Sequence, residues 1–255
     1  MTFTITADGK RMWGAVIGAA TALGVEEIKL GLTPEGVVFR TMDPSHVALV
    51  DALLGAKAFA KYEVDKPLSV TLRTEDVAKM FNRLDGGEVV EMEADAEDGL
   101  IRIRGRSPSG GKLEYRLHTL EPVAGDTPLP KLTLPNTVSI ERKVLLEACR
   151  DVQVVGDHVK IAATRDLLMI WCKGDLGEAH RSLEAADGIT LNIVERDGVN
   201  NIYSTEYLVS MLTSQNAESV TVNLAPKMPM RIDFNVGDRE EGKISFYLAP
   251  RIEET

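Results

Sequence analysis

The residue types that most often bind metals or act as acids and bases, histidine and cysteine, are few in this sequence. The four histidines are His46, His118, His158 and His180, and none stands in an HExxH motif or in a cluster with cysteine. Cys149 falls on the apolar face of a predicted helix and Cys172 in a predicted strand, so we expect both thiols in the core. The sequence therefore predicts no metal site, no cysteine nucleophile and no cofactor.

A glycine-rich stretch over residues 105–112 has some features of a phosphate-binding loop. It places five residues rather than four between its first glycine and its Gly-Lys pair, and Leu113 stands where such a loop needs Ser or Thr. The residues that follow alternate as a strand, whereas a phosphate loop leads into a helix whose N-terminus faces the phosphates. We predict a hairpin turn here.

Carboxylates are concentrated in residues 85–98, which contain seven acidic side chains and no basic one. Paired carboxylates could act as general acid and general base in a hydrolase. The alternative is a solvated acidic edge of the fold, which is favoured because charge runs usually face solvent. No other motif in the sequence supports an enzyme.

Basic residues, in contrast, fall on three of the four segments that we predict to be helical. Lys79 and Arg83 are four residues apart and share a helix face, and Lys143 and Arg150 share another. Helix solvation, or a cation near a helix C-terminus, explains such positions without a partner. The alternative is that these helices face a polyanion while the acidic strands face away. The candidates are Lys10, Arg11, Lys79, Arg83, Arg142, Lys143 and Arg150.

Hydrophobic periodicity predicts the elements that carry these residues. Apolar residues from Trp13 to Ala20 recur at helical spacing and form one stripe. Thr74 and Thr205 are predicted helix N-caps, since acidic residues follow them. Alternation predicts strands over residues 27–32, 37–41, 89–94, 100–104, 112–117, 159–163 and 219–224.

The two halves of the chain resemble each other. Residues 112–117 (KLEYRL) match residues 243–248 (KISFYL) at an offset of 131, as do residues 74–77 and 205–208. At an offset of 132 the opening helices also match, with Lys10-Arg11 on Arg142-Lys143. Such self-similarity predicts two domains of one architecture.

A proline-rich segment separates the two halves. Residues 118–135 hold four of the eleven prolines, so this segment cannot continue a helix and is predicted to be an extended connector. The sequence thus predicts an N-terminal domain over residues 1–117, a connector over 118–135 and a C-terminal domain over 136–255.

Composition and charge restrict the class of protein further. The 255 residues are 44% hydrophobic and 27% charged, and no run approaches the ~18 apolar residues that span a membrane. Two cysteines suit a reducing compartment. The formal net charge of −10 argues against a protein that holds nucleic acid by charge alone.

Three segments resemble a known family. Residues 41–50 (TMDPSHVALV) resemble the signature loop and strand of the archaeal and eukaryotic DNA sliding clamps, the proliferating cell nuclear antigen family. Residues 246–254 (FYLAPRIEE) resemble its C-terminal segment, and residues 148–151 with Gly156-Asp157 resemble the opening helix of its second domain. The resemblance extends over essentially the whole chain, including the internal repeat and the connector.

The resemblance implies an α+β fold, the DNA-clamp fold with two similar domains per chain. It further implies a ring of three subunits, a homotrimer, in which helices line a central channel and antiparallel sheets lie outside. A closed ring retains duplex DNA by topology, so phosphate contacts can be weak and independent of sequence despite the negative net charge. The seven basic candidates would face this channel. Contact would be uneven, because residues 205–213 include no basic side chain and Glu147 stands where the family often has one.

The resemblance also implies an apolar pocket for partner proteins, which insert a glutamine followed by aliphatic and paired aromatic residues. Implied partners are double-stranded DNA, DNA polymerase, a clamp loader, flap endonuclease and DNA ligase, and no membrane. Concave apolar walls anchor aromatic side chains. The alternative for Met42 and Tyr247 is that they fill the core. The matching positions are Met42, His46, Val47, Leu129, Pro130, Pro229, Tyr247, Ala249 and Pro250.

Subunits of this family are implied to join by antiparallel pairing of edge strands, which removes exposed edges. One edge is residues 112–117 and the other is residues 176–183 of the neighbour. This contact is heterologous and closes into a ring only at the right rotation. Arg181 or His180 is expected opposite Glu114. The positions are Lys112, Leu113, Glu114, Tyr115, Leu117, Leu176, His180, Arg181 and Leu183.

The expected function is therefore that of a DNA sliding clamp, a processivity factor that tethers the replicative polymerase and other replication and repair proteins. Such a protein performs no chemistry and is intracellular, in the nucleoid of an archaeon or the nucleus of a eukaryote. One alternative is a specialised subunit of a heterotrimeric clamp. The other is a carboxylate-dependent hydrolase that uses residues 85–98.

Overall fold

The computed structural model describes residues 3–7, 11–84, 89–95, 99–121, 125, 127–185, 188–237 and 242–251, with the backbone alone of Asp95. Lys10 and much of the acidic run over residues 85–98 lie outside the described residues. The chain forms two compact units. The first unit comprises Met1–Pro44, Val50–Pro128 and Asn235–Ile244, and the second unit comprises Ser45–Leu49, Leu129–Phe234 and Ser245–Thr255.

Helices of matched length recur along the described chain. They are α1 (Arg11–Ala22), α2 (Thr74–Arg83), α3 (Arg142–Gln153) and α4 (Thr205–Ser214), of 12, 10, 12 and 10 residues. The strands of the first half are β1 (Phe3–Ala7), β2 (Glu27–Thr33), β3 (Gly36–Met42), β4 (Ala48–Gly55), β5 (Lys61–Val64), β6 (Leu68–Arg73), β7 (Val90–Asp95), β8 (Leu100–Arg106) and β9 (Lys112–His118). Those of the second half are β10 (Asn136–Glu141), β11 (His158–Ala163), β12 (Leu167–Gly174), β13 (Gly177–Glu184), β14 (Thr190–Asn192), β15 (Val199–Ser204), β16 (Ser219–Leu224), β17 (Met230–Val236) and β18 (Gly242–Leu248).

Antiparallel pairing organises the strands within each unit. In the first unit the order β5-β1-β7-β8-β9 forms a five-stranded sheet, and β2 lies between β3 and β6. In the second unit the order β13-β12-β11-β15 forms a four-stranded sheet, while β10 lies between β14 and β16. The strands predicted from alternation all occur, most of them one or two residues longer than predicted.

The core of each unit lies between its helices and the apolar faces of its strands. In the first unit α1 packs against α2, and Trp13 of α1 is 1% exposed and lies 5.6 Å from the ring of Phe59. In the second unit α3 packs against α4. Cys149 and Cys172 are buried, as predicted, and burial raises the pKa of the Cys149 thiol to about 12.

The prediction that Thr74 and Thr205 cap helices is wrong. Strands β6 and β15 run directly into α2 and α4, so the N-cap residues are Arg73 and Ser204, neither with a side-chain cap. Each threonine instead donates its backbone N–H across the sheet, Thr74 to Glu26 O (2.9 Å) and Thr205 to Asp157 O (3.0 Å). Because the preceding strand leaves no loop, the threonines begin their helices rather than precede them.

The glycine-rich stretch over residues 105–112 is the predicted hairpin between β8 and β9. Ser107 N–H donates to Gly111 O (2.9 Å), and Arg106 is paired with Lys112 across the turn. Gly110 adopts a φ of +96°, which glycine adopts without steric cost. Of the helices in the described residues, none combines the length and apolarity needed to cross a membrane.

Candidate functional site

Helix α2 exposes two of the basic residues singled out by the sequence. Val77 and Phe81 are buried, and Lys79 and Arg83 lie on the exposed side of the same helix. Lys79 forms an ion pair with Glu75 one turn earlier. The hydrogen bond and the charge of Glu75 raise the pKa of the Lys79 ammonium above its usual value. Arg83 stands in the last turn, where a cation also interacts well with the helix dipole.

Helix α3 presents a second basic face. Lys143, Glu147 and Arg150 are exposed at i, i+4 and i+7, while Leu145, Ala148 and Cys149 are buried on the opposite side. Arg150 Nη2 lies 3.4 Å from the Thr213 hydroxyl oxygen of α4, to which it donates. This face therefore carries two cations and one anion, and α4 (Thr205–Ser214) beside it contributes no Lys or Arg.

Arg142 was expected to face a polyanion, but the structure buries its side chain. It is only 9% exposed, although it is the first residue of α3. Its Nη1 donates to Leu212 O (2.9 Å) in the last turn of α4, and its Nε donates to Ala217 O (2.9 Å) in the segment after that helix. The last carbonyls of a helix lack intrahelical partners, so a buried guanidinium is well used there. Arg142 thus connects α3 to α4 and does not belong to the exposed basic set.

Of the two residues predicted at the start of the first helix, Lys10 lies outside the described residues. Arg11 is exposed at the first position of α1. The exposed basic residues on the described helices that the sequence predicted are therefore Arg11, Lys79, Arg83, Lys143 and Arg150.

Two backbone hydrogen bonds order the C-terminal segment of the second unit. Ala249 N–H donates to Val47 O (2.9 Å), and Arg251 N–H donates to Ile202 O of β15 (2.8 Å). Three of the predicted pocket residues, Val47, Ala249 and Pro250, are half-buried along this segment, so part of their surface is accessible. The structure thereby brings Val47 beside Ala249, which are 202 positions apart (249 minus 47) in the sequence.

The loop before Val47 has an unusual backbone. His46 is exposed and adopts a φ of +58°, in the left-handed region that few residues other than glycine occupy. Such conformations cost free energy and are frequent at binding sites. Tyr247 is half-buried at the end of β18, so it is not wholly a core residue.

The turn directly before Pro229 is held by a buried polar pair that the sequence did not predict. Asn201 Nδ2 donates to Ala225 O (2.9 Å), and Lys227 N–H donates to Asn201 Oδ1 (2.8 Å). Tyr203 Oη donates to Met228 O (3.2 Å) and accepts a hydrogen bond from Asn201 Nδ2 (2.9 Å). A polar residue at an inward position of β15 was the signal in the sequence, since Val199, Asn201 and Tyr203 are all buried.

Met42 lies in the first unit, at the end of β3, and lines an open cavity of about 580 Å³. Val38 and Pro44 add apolar surface to this cavity, and Glu27, Lys29 and Arg40 add charge. Lys29 Nζ donates to Gly125 O (3.2 Å), so a connector residue lies at its edge. The other predicted connector residues, Leu129 and Pro130, belong to the second unit, where Leu129 is half-buried and Pro130 exposed.

Strands β9 and β13 each end a sheet in the described part of the chain. On β9, Leu113, Tyr115 and Leu117 alternate with exposed charged residues, and Tyr115 is paired with the buried Ile103 of β8. On β13, Leu183 is paired with the buried Leu168 of β12, and Leu176 in the preceding turn is 80% exposed. Both edges therefore offer some apolar surface beside backbone groups that pair with no further strand in the described residues.

The charged residues at these edges have partners within the chain. Glu114 accepts from Arg104 (2.8 Å) and Arg116 (2.8 Å), which hold the pKa of its carboxyl below the usual value. Arg181 lies 3.4 Å from Asp151. His180 stacks on Trp171 with ring centroids 5.6 Å apart. The expected contact of Arg181 or His180 with Glu114 of a neighbour stays a prediction.

The described part of the acidic run is neutralised by a basic strand. Arg104 of β8 donates to Glu91 (2.8 Å) and Glu93 (2.7 Å) of β7, as well as to Glu114 of β9. This arrangement suits cross-strand ion pairing rather than a free pair of catalytic carboxylates. In the ranges that the structure describes, no three His, Cys, Asp or Glu side chains cluster as a metal site would require.

Comparison with known proteins finds similar sequences over nearly the full length of the chain. The N-terminal domain of proliferating cell nuclear antigen matches residues 16–120, and the C-terminal domain of the same family matches residues 129–251. A DNA polymerase sliding clamp of Nitrosopumilus maritimus is 33% identical over 99% of this chain and 100% of its own length. One of Thermococcus gammatolerans is 30% identical over 100% of both chains.

Two solved structures have the same fold. The proliferating cell nuclear antigen of Entamoeba histolytica aligns with a TM-score of 0.88 at 19% identity, over 98% of this chain and 99% of its own. The protein from A. fulgidus, bound to the C-terminal region of FEN-1, aligns with a TM-score of 0.86 at 20% identity, over 99% of this chain and 100% of its own. The two-domain architecture, with antiparallel sheets and four α-helices in the described ranges, is therefore that of the clamp fold.

Proposed function

Because this chain belongs to the proliferating cell nuclear antigen family of DNA polymerase sliding clamps, we propose that three copies close into a ring around duplex DNA. The ring tethers the replicative polymerase and thereby makes synthesis processive. The observation that carries this proposal is the full-length match to DNA polymerase sliding clamps, at 33% identity over 99% of the chain. The protein performs no chemistry of its own, and a separate ATP-driven clamp loader opens and closes the ring.

Ring closure, in this proposal, pairs β9 of one subunit with β13 of the next. Leu113, Tyr115 and Leu117 lie on the same side of β9 as the buried residues of β8. Leu183 lies on the corresponding side of β13, beside buried Leu168. Antiparallel pairing therefore joins apolar surface to apolar surface while it satisfies the backbone groups of both edges.

DNA contact comes from the exposed basic helix residues, together with Lys10. Arg11, Lys79, Arg83, Lys143 and Arg150 are long cationic side chains that can reach phosphates without reading bases. The contacts are few and weak, which suits a ring that must slide. The net charge of −10 is compatible with this role because closure, not affinity, retains the DNA.

Partner proteins bind through the peptide pocket, which we define by its residues in the second unit: His46, Val47, Leu129, Pro130, Pro229, Tyr247, Ala249 and Pro250. The fold is shared with the A. fulgidus protein that was solved with the C-terminal region of FEN-1, which supports a peptide-binding role. A polymerase, a clamp loader, a flap endonuclease and a DNA ligase would each bind this pocket through the same short motif.

Sedimentation equilibrium at micromolar protein and moderate salt tests the ring. The proposal predicts a mass of three times 27.9 kDa for the isolated chain. A monomer or dimer that persists as concentration is raised contradicts a self-sufficient homotrimer and favours a subunit of a heterotrimeric clamp.

The hydrolase alternative is tested by replacement of Glu91 and Glu93 with glutamine. Under this proposal DNA retention stays unchanged, because ring closure and not these carboxylates retains the DNA.

A further inference from the structure

We propose that Asn201 and Tyr203 are positioning residues for the peptide pocket, because they fix the turn that presents Pro229. The inference rests on the proposed peptide-binding function. It assigns a role to two buried side chains that touch no peptide themselves. Both lie on β15, at inward positions that are 6% and 0% exposed.

The turn itself is strained. Met228 N–H donates to Ala225 O (3.3 Å), which closes a four-residue turn with Pro226 at its second position. Lys227, at the third position, has a φ of +58°. Proline followed by a positive φ is the pattern of a type II turn, which normally has glycine or asparagine at the third position. A lysine there costs free energy, so the surroundings must hold the turn in place.

Asn201 and Tyr203 provide that support. Asn201 accepts from the N–H of the strained Lys227 and donates to Ala225 O, so it grips the turn at two points. Tyr203 adds a third point, since its hydroxyl donates to Met228 O. The hydrogen bond from Asn201 Nδ2 to Tyr203 Oη locks the two side chains together. The three bonds that leave this pair of side chains thus converge on residues 225–228.

This convergence distinguishes a positioning role from general core stability. A buried amide is costly unless all its polar atoms are satisfied, and an apolar residue at position 201 would avoid that cost. The pair is instead aimed at the residues directly before Pro229. Ala225 is buried, while Pro226, Lys227 and Met228 are exposed and Pro229 is half-buried. The pair therefore anchors an exposed turn from beneath.

Strand β15 also fixes a second segment of the pocket. The carbonyl oxygen of Ile202, between Asn201 and Tyr203, accepts from Arg251 N–H (2.8 Å). That bond holds one end of the segment that carries Ala249 and Pro250. The other end is held by the bond from Ala249 N–H to Val47 O. One short strand thus holds two segments of the pocket. Its side chains hold the turn before Pro229, and its backbone holds the C-terminal segment. Loosening the turn moves one wall of the pocket relative to the other.

The test compares peptide affinity in matched variants by calorimetry, with the C-terminal region of FEN-1 as the probe. Asn201→Ala is expected to weaken binding about tenfold, since part of the binding free energy must then order the turn. Tyr203→Phe removes one hydroxyl and keeps the packing, so an affinity decrease of about threefold is expected. Asn223→Ala is the control, because Asn223 is 5% exposed in the same unit and bonds to Arg231 and Asp233 instead of the turn.

The outcomes separate the inference from the function on which it rests. If thermal unfolding shifts equally for Asn201→Ala and Asn223→Ala but only the former loses affinity, the positioning role is supported. If both variants bind as the wild type does, or both lose affinity equally, the positioning role is overturned. If Asn201→Ala does not fold, Tyr203→Phe against Asn223→Ala decides. A wild-type protein that fails to bind the probe overturns the proposed pocket instead.

Discussion

The guanidinium of Arg142 donates to the carbonyl oxygen of Leu212 at 2.9 Å, so the first residue of α3 closes the end of α4. Its neighbour Lys143 is exposed on the same helix. Two adjacent basic residues therefore differ in their surroundings, since one is bonded within the fold and the other is exposed.

This difference predicts opposite phenotypes for two adjacent substitutions. Arg142→Ala leaves the carbonyls of Leu212 and Ala217 without their donor and should destabilise the protein by about 1–3 kcal/mol. Lys143→Ala should leave the melting temperature unchanged and weaken DNA binding. Thermal unfolding measures the change in stability, and binding to a short DNA duplex measures the change in affinity. Equal effects of the two substitutions on DNA binding would contradict the assignment of Arg142.

The exposed basic helix residues predict a change in the salt dependence of DNA binding. Lys143→Ala combined with Arg150→Ala should reduce the slope of log affinity against log salt by about 0.9 for each phosphate that the variant no longer neutralises. Lys61→Ala on β5 is the control, because Lys61 is exposed, is ion-paired with Glu63 and lies on a strand rather than on a helix. A slope that changes equally in the control would place the DNA contacts elsewhere.

Subunit pairing through β9 predicts that Tyr115→Ala weakens the ring without unfolding the chain. Tyr115 is half-buried at a sheet edge, so its removal takes apolar area from the subunit interface and little from the core. The concentration at which the trimer dissociates, measured by sedimentation, should rise at least several-fold. Lys61→Ala, on the opposite edge of the same sheet, should leave it unchanged. Unaltered assembly of Tyr115→Ala would move the interface away from β9.

The peptide pocket predicts loss of binding in a double variant. Tyr247→Ala with Leu129→Ala removes two apolar walls, so calorimetry with the C-terminal region of FEN-1 should detect no binding. Both side chains are only half-buried, and the ring should still assemble. Undiminished affinity in this variant would show that the peptide binds elsewhere.

The ion pairs of Arg104 predict a pH dependence of stability. Arg104 and Arg116 lower the pKa of Glu114 below its ordinary value of 4.5 in the folded state. A depressed carboxyl pKa stabilises the fold above the unfolded-state pKa, and this contribution disappears as pH falls through the folded-state pKa. The melting temperatures of wild type and Arg104→Gln should therefore differ near pH 7 and converge below about pH 4. A constant difference across that range would contradict this account.

Sequence alone predicted the elements whose pattern is local. Alternation located seven of the eighteen strands in the described residues, and the repeat predicted the matched helices, because both depend on which side chains face the core. The caps at Thr74 and Thr205 were predicted wrongly because a strand runs directly into each helix, which local composition does not reveal. The burial of Arg142 depends on the end of α4, 70 residues away.

The candidate site was predicted to a lesser extent, and mainly through resemblance to the family. The proximity of Val47 and Ala249 follows from long-range pairing that no local pattern encodes. The Asn201–Tyr203 pair was not predicted, because a polar residue at an inward strand position acquires meaning only once its partner turn is known. Tyr203 gave no separate signal, since a buried aromatic residue is common in a core.

The most direct test of the central claim is topological retention on DNA. The protein, loaded by a clamp loader and ATP onto nicked circular duplex, is separated from free protein by gel filtration at high salt. The sliding-clamp account predicts that it co-elutes with the circle and is released when one restriction cut linearises the DNA. Equal retention on circular and linear DNA, or release from both, would contradict it.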